Sequence, residues 1–248
     1  PPRSTLFPYT TLFRSGLVVV VPIGNAGNIT AVLQGFLKLH DLEIITQLPT
    51  VIGVQSEHAN PVYLYYLEPD RSKRQFRPVT VRPSVAQAAM IGNPVSMPRV
   101  MALVEQYRSI AGDRGFQAVE VSEQEIMDAM LTANRNGHIA CTQGGECLAG
   151  IRKAVKTGRI DPDRSAVLDA TAHALKFAVF QEKYFADAFE PEFEVVPRAD
   201  LRNMPTLISP PEGVPVPRQG TTLGPGEMDR FIEYTGLAIA RQLGLRAR

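Results

Sequence analysis

Several features that would place a chain in a class at once are scarce here, and each scarcity excludes something. The 248 residues contain two cysteines, Cys141 and Cys147. Two thiols cannot build a disulfide framework, and their spacing does not suit paired zinc ligands. They read as reduced thiols, and the sequence presents no metal site. An excess of one charge is also missing: 26 Lys and Arg face 25 Asp and Glu, leaving a net charge of +1. That balance gives no electrostatic reason to expect nucleic acid or an anionic membrane as a partner. The densest basic run, Arg71 to Arg77, is broken by polar and apolar residues and reads as a solvated loop. The longest apolar run, Leu17 to Ile23, is far too short to span a bilayer. No basic segment leads into an apolar stretch with a small-residue cleavage site, so the expected compartment is the cytoplasm. Internal repeats are absent.

What remains is an ordinary globular composition, 44% hydrophobic and 21% charged, long enough for one large domain or two small ones. The first fifteen residues, PPRSTLFPYTTLFRS, stand apart. They show no helical or strand period. They also translate without mismatch from a nucleotide string that resembles a widely used sequencing adapter. Residues 1–15 are therefore expected to be an artefact, and the chain from Gly16 a fragment of a longer gene product.

From Gly16 onward strands and helices alternate. Val18 to Val21, closed by Pro22, is β-branched without polar alternation, as in a buried parallel strand. Gly24 to Asn28 then forms a turn, and Ile29, Val32, Leu33, Phe36 and Leu37 follow at helical spacing. Further strands are expected at Val51 to Val54, Ala118 to Val121, Ile139-Ala140 and Ala166 to Leu168. Ser84 can cap a short helix through Met90 that stops at Gly92-Asn93-Pro94, and Pro98 suits the start of a helix through Ile110. Ser122 with Glu125 makes a capping box for a helix through Ala133. Gly144-Gly145 lead into a helix that turns Leu148, Ile151 and Val155 inward and Arg152, Lys153 and Lys156 outward. Phe189 to Gly226 is proline-rich, and Glu227 to Leu243 is an amphipathic helix. The pattern predicts an α/β fold with a mostly parallel sheet and flanking helices. The expected organisation is residues 16–188 as a cofactor-binding domain, with 189–248 as a proline-rich segment and a C-terminal helix packing on it.

A buried strand entering Gly24-x-x-Gly27 at a helix start points to phosphate binding. Unpaired N–H groups and the helix dipole can hold a dianion there without lysine or arginine. The two glycines permit positive φ and close backbone approach, and Asn25 and Asn28 can add side-chain donors. The dinucleotide fingerprint is not matched and the P-loop lysine is absent, which leaves a phosphate-bearing cofactor other than NAD or ATP.

Three blocks carry a family resemblance. VPIGNAGNITAVLQGF, from Val21, resembles the cofactor-phosphate loop of threonine synthases, which belong to the tryptophan-synthase-β-like (fold type II) pyridoxal-phosphate (PLP) enzymes. Ala88 to Ser96 resembles that family's A-x-x-I-G-N-P segment. Thr171 to Lys176 resembles its T-G-H-G-L-K, with both glycines replaced by alanine. The resemblance covers most of Gly16 to Lys176. It implies that Gly24, Asn25, Ala26, Gly27 and Asn28 cradle the PLP phosphate and that Thr171 offers its hydroxyl to the pyridine nitrogen. It places Asn93, Ser96 and His173 as candidate active-site lining. It further implies an intact enzyme that converts O-phosphohomoserine and water to threonine and phosphate in threonine biosynthesis, with a homodimer as one possible assembly.

The chain departs from the pattern in two places. Cys141 to Gly145 stands where many relatives carry Glu-Pro and small residues, in a loop that faces the cofactor. The family's Schiff-base lysine lies upstream of the glycine loop, and none of Lys38, Lys73, Lys153, Lys156, Lys176 or Lys183 takes its place. The fragment alone is thus expected to be inactive. Cys141 itself reads as a structural thiol. Another PLP enzyme of the same fold, such as a serine/threonine dehydratase or a cysteate synthase, is the first alternative. A non-catalytic phosphate-binding α/β domain is the second.

Overall fold

The computed structural model describes residues 16–245, so the adapter reading of residues 1–15 lies outside the described residues. Four strands form one parallel sheet: β1 (Val18–Pro22), β2 (Thr50–Ser56), β3 (Phe116–Val121) and β4 (Ala166–Leu168). Their order is β3-β2-β1-β4. Val18 pairs with Thr50 on one side and Ala166 on the other, and Val51 pairs with Phe116.

The side-chain period of two splits the valine run between two cores. Val19 and Val21 face α1 (Gly27–Asp41) and α3 (Met97–Ala111), where Leu33, Val100, Val104 and Tyr107 are buried. The short α2 (Pro61–Leu67) adds Val62 to this side. Val18 and Val20 face α4 (Glu123–Arg135), α5 (Thr142–Lys156) and α6 (Ala178–Ala186), with Ile126, Met127, Cys147 and Phe180. Burial on both faces is why the strand is apolar throughout. The capping box is present: Ser122 Oγ accepts from Glu125 N–H, and the Glu125 carboxylate accepts from Ser122 N–H. Among the described residues no helix is long and apolar enough to cross a membrane.

Some local expectations are corrected. Ser84 caps no helix; it is buried, its Oγ accepts from Ala86 N–H and donates to Glu123, and only a 3-10 turn forms at Gln87–Ala89. Gly144 and Gly145 lie inside α5 rather than before it. A Cβ on Gly145 would sit 2.5 Å from the Ile126 carbonyl oxygen, and one on Gly150 would sit 2.4 Å from Val54 Cγ2. These glycines let α5 pack closely on α4 and β2. The fully buried face of α5 is accordingly Gln143, Glu146, Cys147, Gly150 and Ala154, while Leu148, Ile151 and Val155 are half-buried. Ile139-Ala140 is reduced to a single antiparallel bridge, Ala140 to His173.

The chain divides into two compact units, the first ending at Arg202 and the second starting at Asn203. The second contains α7 (Pro225–Gln242), whose Gly224 N–H donates to Glu227 and whose Tyr234 hydroxyl donates to the Ser209 carbonyl.

Candidate cofactor site

The chain leaves β1 toward β2 and β3 on one side and returns to β4 on the other. The carboxyl ends of β1 and β4 therefore flank a topological switch point, where open parallel sheets bind ligands. The glycine turn follows β1, and Asp169 to Thr171 follows β4. Between them lies a cleft of about 290 Å³, lined by Gly24 to Asn28, Ala88, Ala89, Gln143 and Thr171.

The turn is held by Ile23, whose N–H donates to Val54 O at 2.8 Å. Gly24 is required for space, since a Cβ there would lie 3.0 Å from Ala89 Cα and 3.1 Å from Ala88 O. The positive φ, 66°, falls on Ala26 and not on either glycine. A left-handed non-glycine residue costs about 1 kcal/mol, which the surrounding packing has to offset. The first α1 hydrogen bond runs from Thr30 N–H to Ala26 O at 3.2 Å. The N–H groups of Gly27, Asn28 and Ile29 consequently have no intrahelical acceptor.

Asp169 links the two halves of the cleft. Asn28 Nδ2 donates to its Oδ2 at 3.4 Å, and Thr171 N–H donates to its Oδ1 at 3.1 Å. Thr171 has φ of 46°, an uncommon conformation for a β-branched residue. Both cysteines brace this loop. Cys141 Sγ donates to Ala170 O at 3.0 Å and lies 3.5 Å from Thr171 Oγ1, while Cys147 Sγ donates to Asp169 O at 3.4 Å. Burial raises the Cys147 thiol well above its ordinary value.

Under the cleft sits a group of buried polar side chains. Gln143 is 3% exposed, yet neither end of its amide is hydrogen-bonded. Glu146, one turn on, is fully buried with both oxygens unpartnered. Burial and the neighbouring Glu123 raise its pKa well above the ordinary carboxylate range, opposed by the Ser56 backbone. Glu123 is raised by burial as well, although Ser56 Oγ, Ser84 Oγ and Val85 N–H all donate to it.

The structure brings Gly24, Asn25, Ala26, Gly27, Asn28 and Thr171 to one cleft and leaves three candidates outside its lining. Asn93 is exposed in a turn where Gly92 packs against Val79; a Cβ on Gly92 would fall 2.1 Å from Val79 O. Ser96 reaches the turn only through its N–H, 3.4 Å from Asn25 O. His173 lines an adjoining cleft of about 850 Å³ with Asn136, His138 and Arg152, which shares Thr171 with the first, and its Nδ1 accepts from Leu175 N–H. Sequence reasoning missed Asp169, which had a findable signal, a polar residue directly after a strand. Gln143 was reached only through the resemblance, as part of the Cys141 to Gly145 loop, and its burial depends on glycine packing.

A phosphate monoester fits this cleft. Three unpaired helical N–H groups face it at the positive end of the α1 dipole, an unpartnered amide borders it, and the neighbouring Asp169 carboxylate is engaged by Asn28 Nδ2 and Thr171 N–H. Fold and site together define an open α/β sheet with a cleft at its switch point whose backbone N–H groups suit a phosphate. The family model "Pyridoxal-phosphate dependent enzyme" matches residues 15–170, well over half of the chain, and the chain belongs to that family. Its cofactor is accordingly pyridoxal phosphate. Within the family, the chain is 34% identical over 159 residues to chloroplastic threonine synthase 2 of Arabidopsis thaliana, an alignment covering 64% of this chain and 29% of the relative. It is 34% identical over 160 residues to the threonine synthase of Methanocaldococcus jannaschii, covering 64% and 37%. The Escherichia coli threonine synthase structure shares the fold with a TM-score of 0.50 at 21% identity, over 76% of this chain and 40% of that one. The chain thus spans well under half the length of these relatives.

Proposed function

We propose that this chain is the cofactor-binding part of a threonine synthase, whose intact form converts O-phosphohomoserine and water to threonine and inorganic phosphate. The observation that carries the reading is the pairing, across the switch point, of the unpaired N–H groups of the glycine turn with Thr171 after β4. The names of the relatives support the choice of reaction.

In this reading Gly24 to Asn28 hold the cofactor phosphate through backbone N–H groups. The Thr171 hydroxyl meets the ring nitrogen as a neutral partner, so the nitrogen stays largely unprotonated. Asp169 is a positioning residue that sets Asn28 and Thr171 relative to each other. Ala88 and Ala89 form one wall of the cleft. When bound, pyridoxal phosphate supplies the electron sink that lets protons leave the substrate's Cα and Cβ. No lysine lines the cleft among the described residues, and the cofactor-bearing lysine is assigned to the part of the protein upstream of this chain. The 248 residues alone are then inactive.

The test is turnover by the full-length protein. Threonine and phosphate released in equal amounts from O-phosphohomoserine support the proposal. Absence of phosphate release, together with deamination of serine or threonine to a 2-oxo acid, would replace it with the dehydratase alternative.

A further inference from the structure

A second constellation lies at the carboxyl end of β2 and takes no part in the cofactor cleft. His58 is 2% exposed. Its Nδ1 lies 2.6 Å from Pro83 O, so Nδ1 carries the proton and donates it to that carbonyl. This fixes the tautomer and leaves Nε2 with a lone pair. Nε2 is buried and has no hydrogen-bond partner. Glu194 Oε2 lies 3.6 Å from it, and the potential ligand atoms, one each from His58, Glu57 and Glu194, lie within 4.8 Å of one another.

We propose that His58, Glu57 and Glu194 form a binding site for a divalent transition-metal cation of the zinc, cobalt or manganese class.

The alternative is a doubly protonated His58 held between carboxylates, and the geometry disfavours it. Glu123 Oε1 is 3.8 Å from Nδ1, and the Glu123 oxygens already accept from Ser56, Ser84 and Val85. Glu194 Oε2 is 3.6 Å from Nε2, outside hydrogen-bond reach, while its Oε1 is bound by Arg82 Nη1 at 2.6 Å. A second proton, on Nε2, would be buried with no acceptor at hydrogen-bond distance, which is costly. A cation accepts the Nε2 lone pair directly. Metal to nitrogen and metal to oxygen distances are about 2.0–2.2 Å, so the ligand atoms must draw together by roughly 1 Å. Glu194, half exposed, has the freedom to make that movement. An imidazole ligand argues against magnesium and calcium, and two carboxylates argue against cuprous copper. The Nδ1–H to Pro83 carbonyl bond is the supporting contact that metal-bound histidines commonly make. Arg82 offsets part of the carboxylate charge, which suits a divalent rather than a trivalent ion. Once filled, the site ties the turn after β2 to the segment after α6, both within the first unit. Its role is to hold that segment in place. The sequence does not show the site because Glu194 lies far along the chain from Glu57 and His58.

The test uses the full-length protein, stripped with a chelator and titrated with Co²⁺. The expected result is visible Co²⁺ absorption that saturates at one ion per chain, is displaced by Zn²⁺, and is accompanied by a higher melting temperature. The paired change Glu57→Gln and Glu194→Gln keeps a buried histidine in place and tests the ligands without risking the fold; it should weaken Co²⁺ binding at least about tenfold. His58→Ala should abolish the visible bands. Binding undiminished in the paired variant overturns the proposal. So does the absence of Co²⁺ and Zn²⁺ binding to the folded protein.

Discussion

Glu146 and Gly24 illustrate opposite ways in which a single residue constrains this protein. Glu146 is fully buried and unpartnered, and its pKa is raised by burial and by Glu123. The folded state therefore holds a proton that the unfolded state releases above about pH 4.5. The stability linked to that proton is present in full below this range and is lost as pH rises toward the folded-state pKa. Glu146→Gln keeps the shape and removes the titration. It should raise stability at pH 8 by about 1–3 kcal/mol and have little effect at pH 4, as read by urea unfolding at both values. Equal effects at the two pH values would contradict the assignment. Gly24 is constrained by space. Gly24→Val forces the turn away from Ala88 and Ala89, should cost about 1–3 kcal/mol in thermal unfolding, and should weaken binding of phosphate-bearing ligands. The importance of Gly24 was legible in the sequence, but the reason was only half right, because the positive φ belongs to Ala26. Residue type reveals which positions permit an unusual backbone and not which one adopts it.

Elements were legible where two independent signals agreed. The valine run with its following turn, and Ser122 with Glu125, each combine periodicity with a boundary signal, and β1, α1 and α4 form accordingly. Removing the cap with Ser122→Ala should cost about 1 kcal/mol, measurable as a lower melting temperature with unchanged far-ultraviolet spectrum. The short helices α2 and α6 carried too few turns for a periodic stripe. In α5 the apolar stripe was read from side-chain size, whereas the fold buries the small residues. Gly145 and Gly150 permit contact with α4 and β2 that larger side chains forbid, and the helix rotates its polar Gln143 and Glu146 inward as a consequence. Gly150→Ala should accordingly destabilise by about 1–3 kcal/mol although alanine is the better helix former, and calorimetry distinguishes the two signs.

At the scale of the whole molecule, the strand order places the phosphate turn and Thr171 side by side although they are far apart in the chain. Alternating strands and helices indicated a parallel sheet. The return of the chain to the far side of β1, which creates the switch point, is a long-range choice that no local pattern encodes. That return makes the cleft, and the proposed function rests on its recognising a phosphate group. The most direct measurement is a comparison of pyridoxal phosphate and pyridoxal binding to the full-length protein, by absorbance titration, with Gly24→Val alongside. If the turn holds the phosphate, pyridoxal should bind at least about 100-fold more weakly, corresponding to the loss of several charge-assisted hydrogen bonds, and the variant should narrow that gap. Equal affinity for the two compounds, or a gap that Gly24→Val leaves untouched, would contradict a phosphate cradle at this turn.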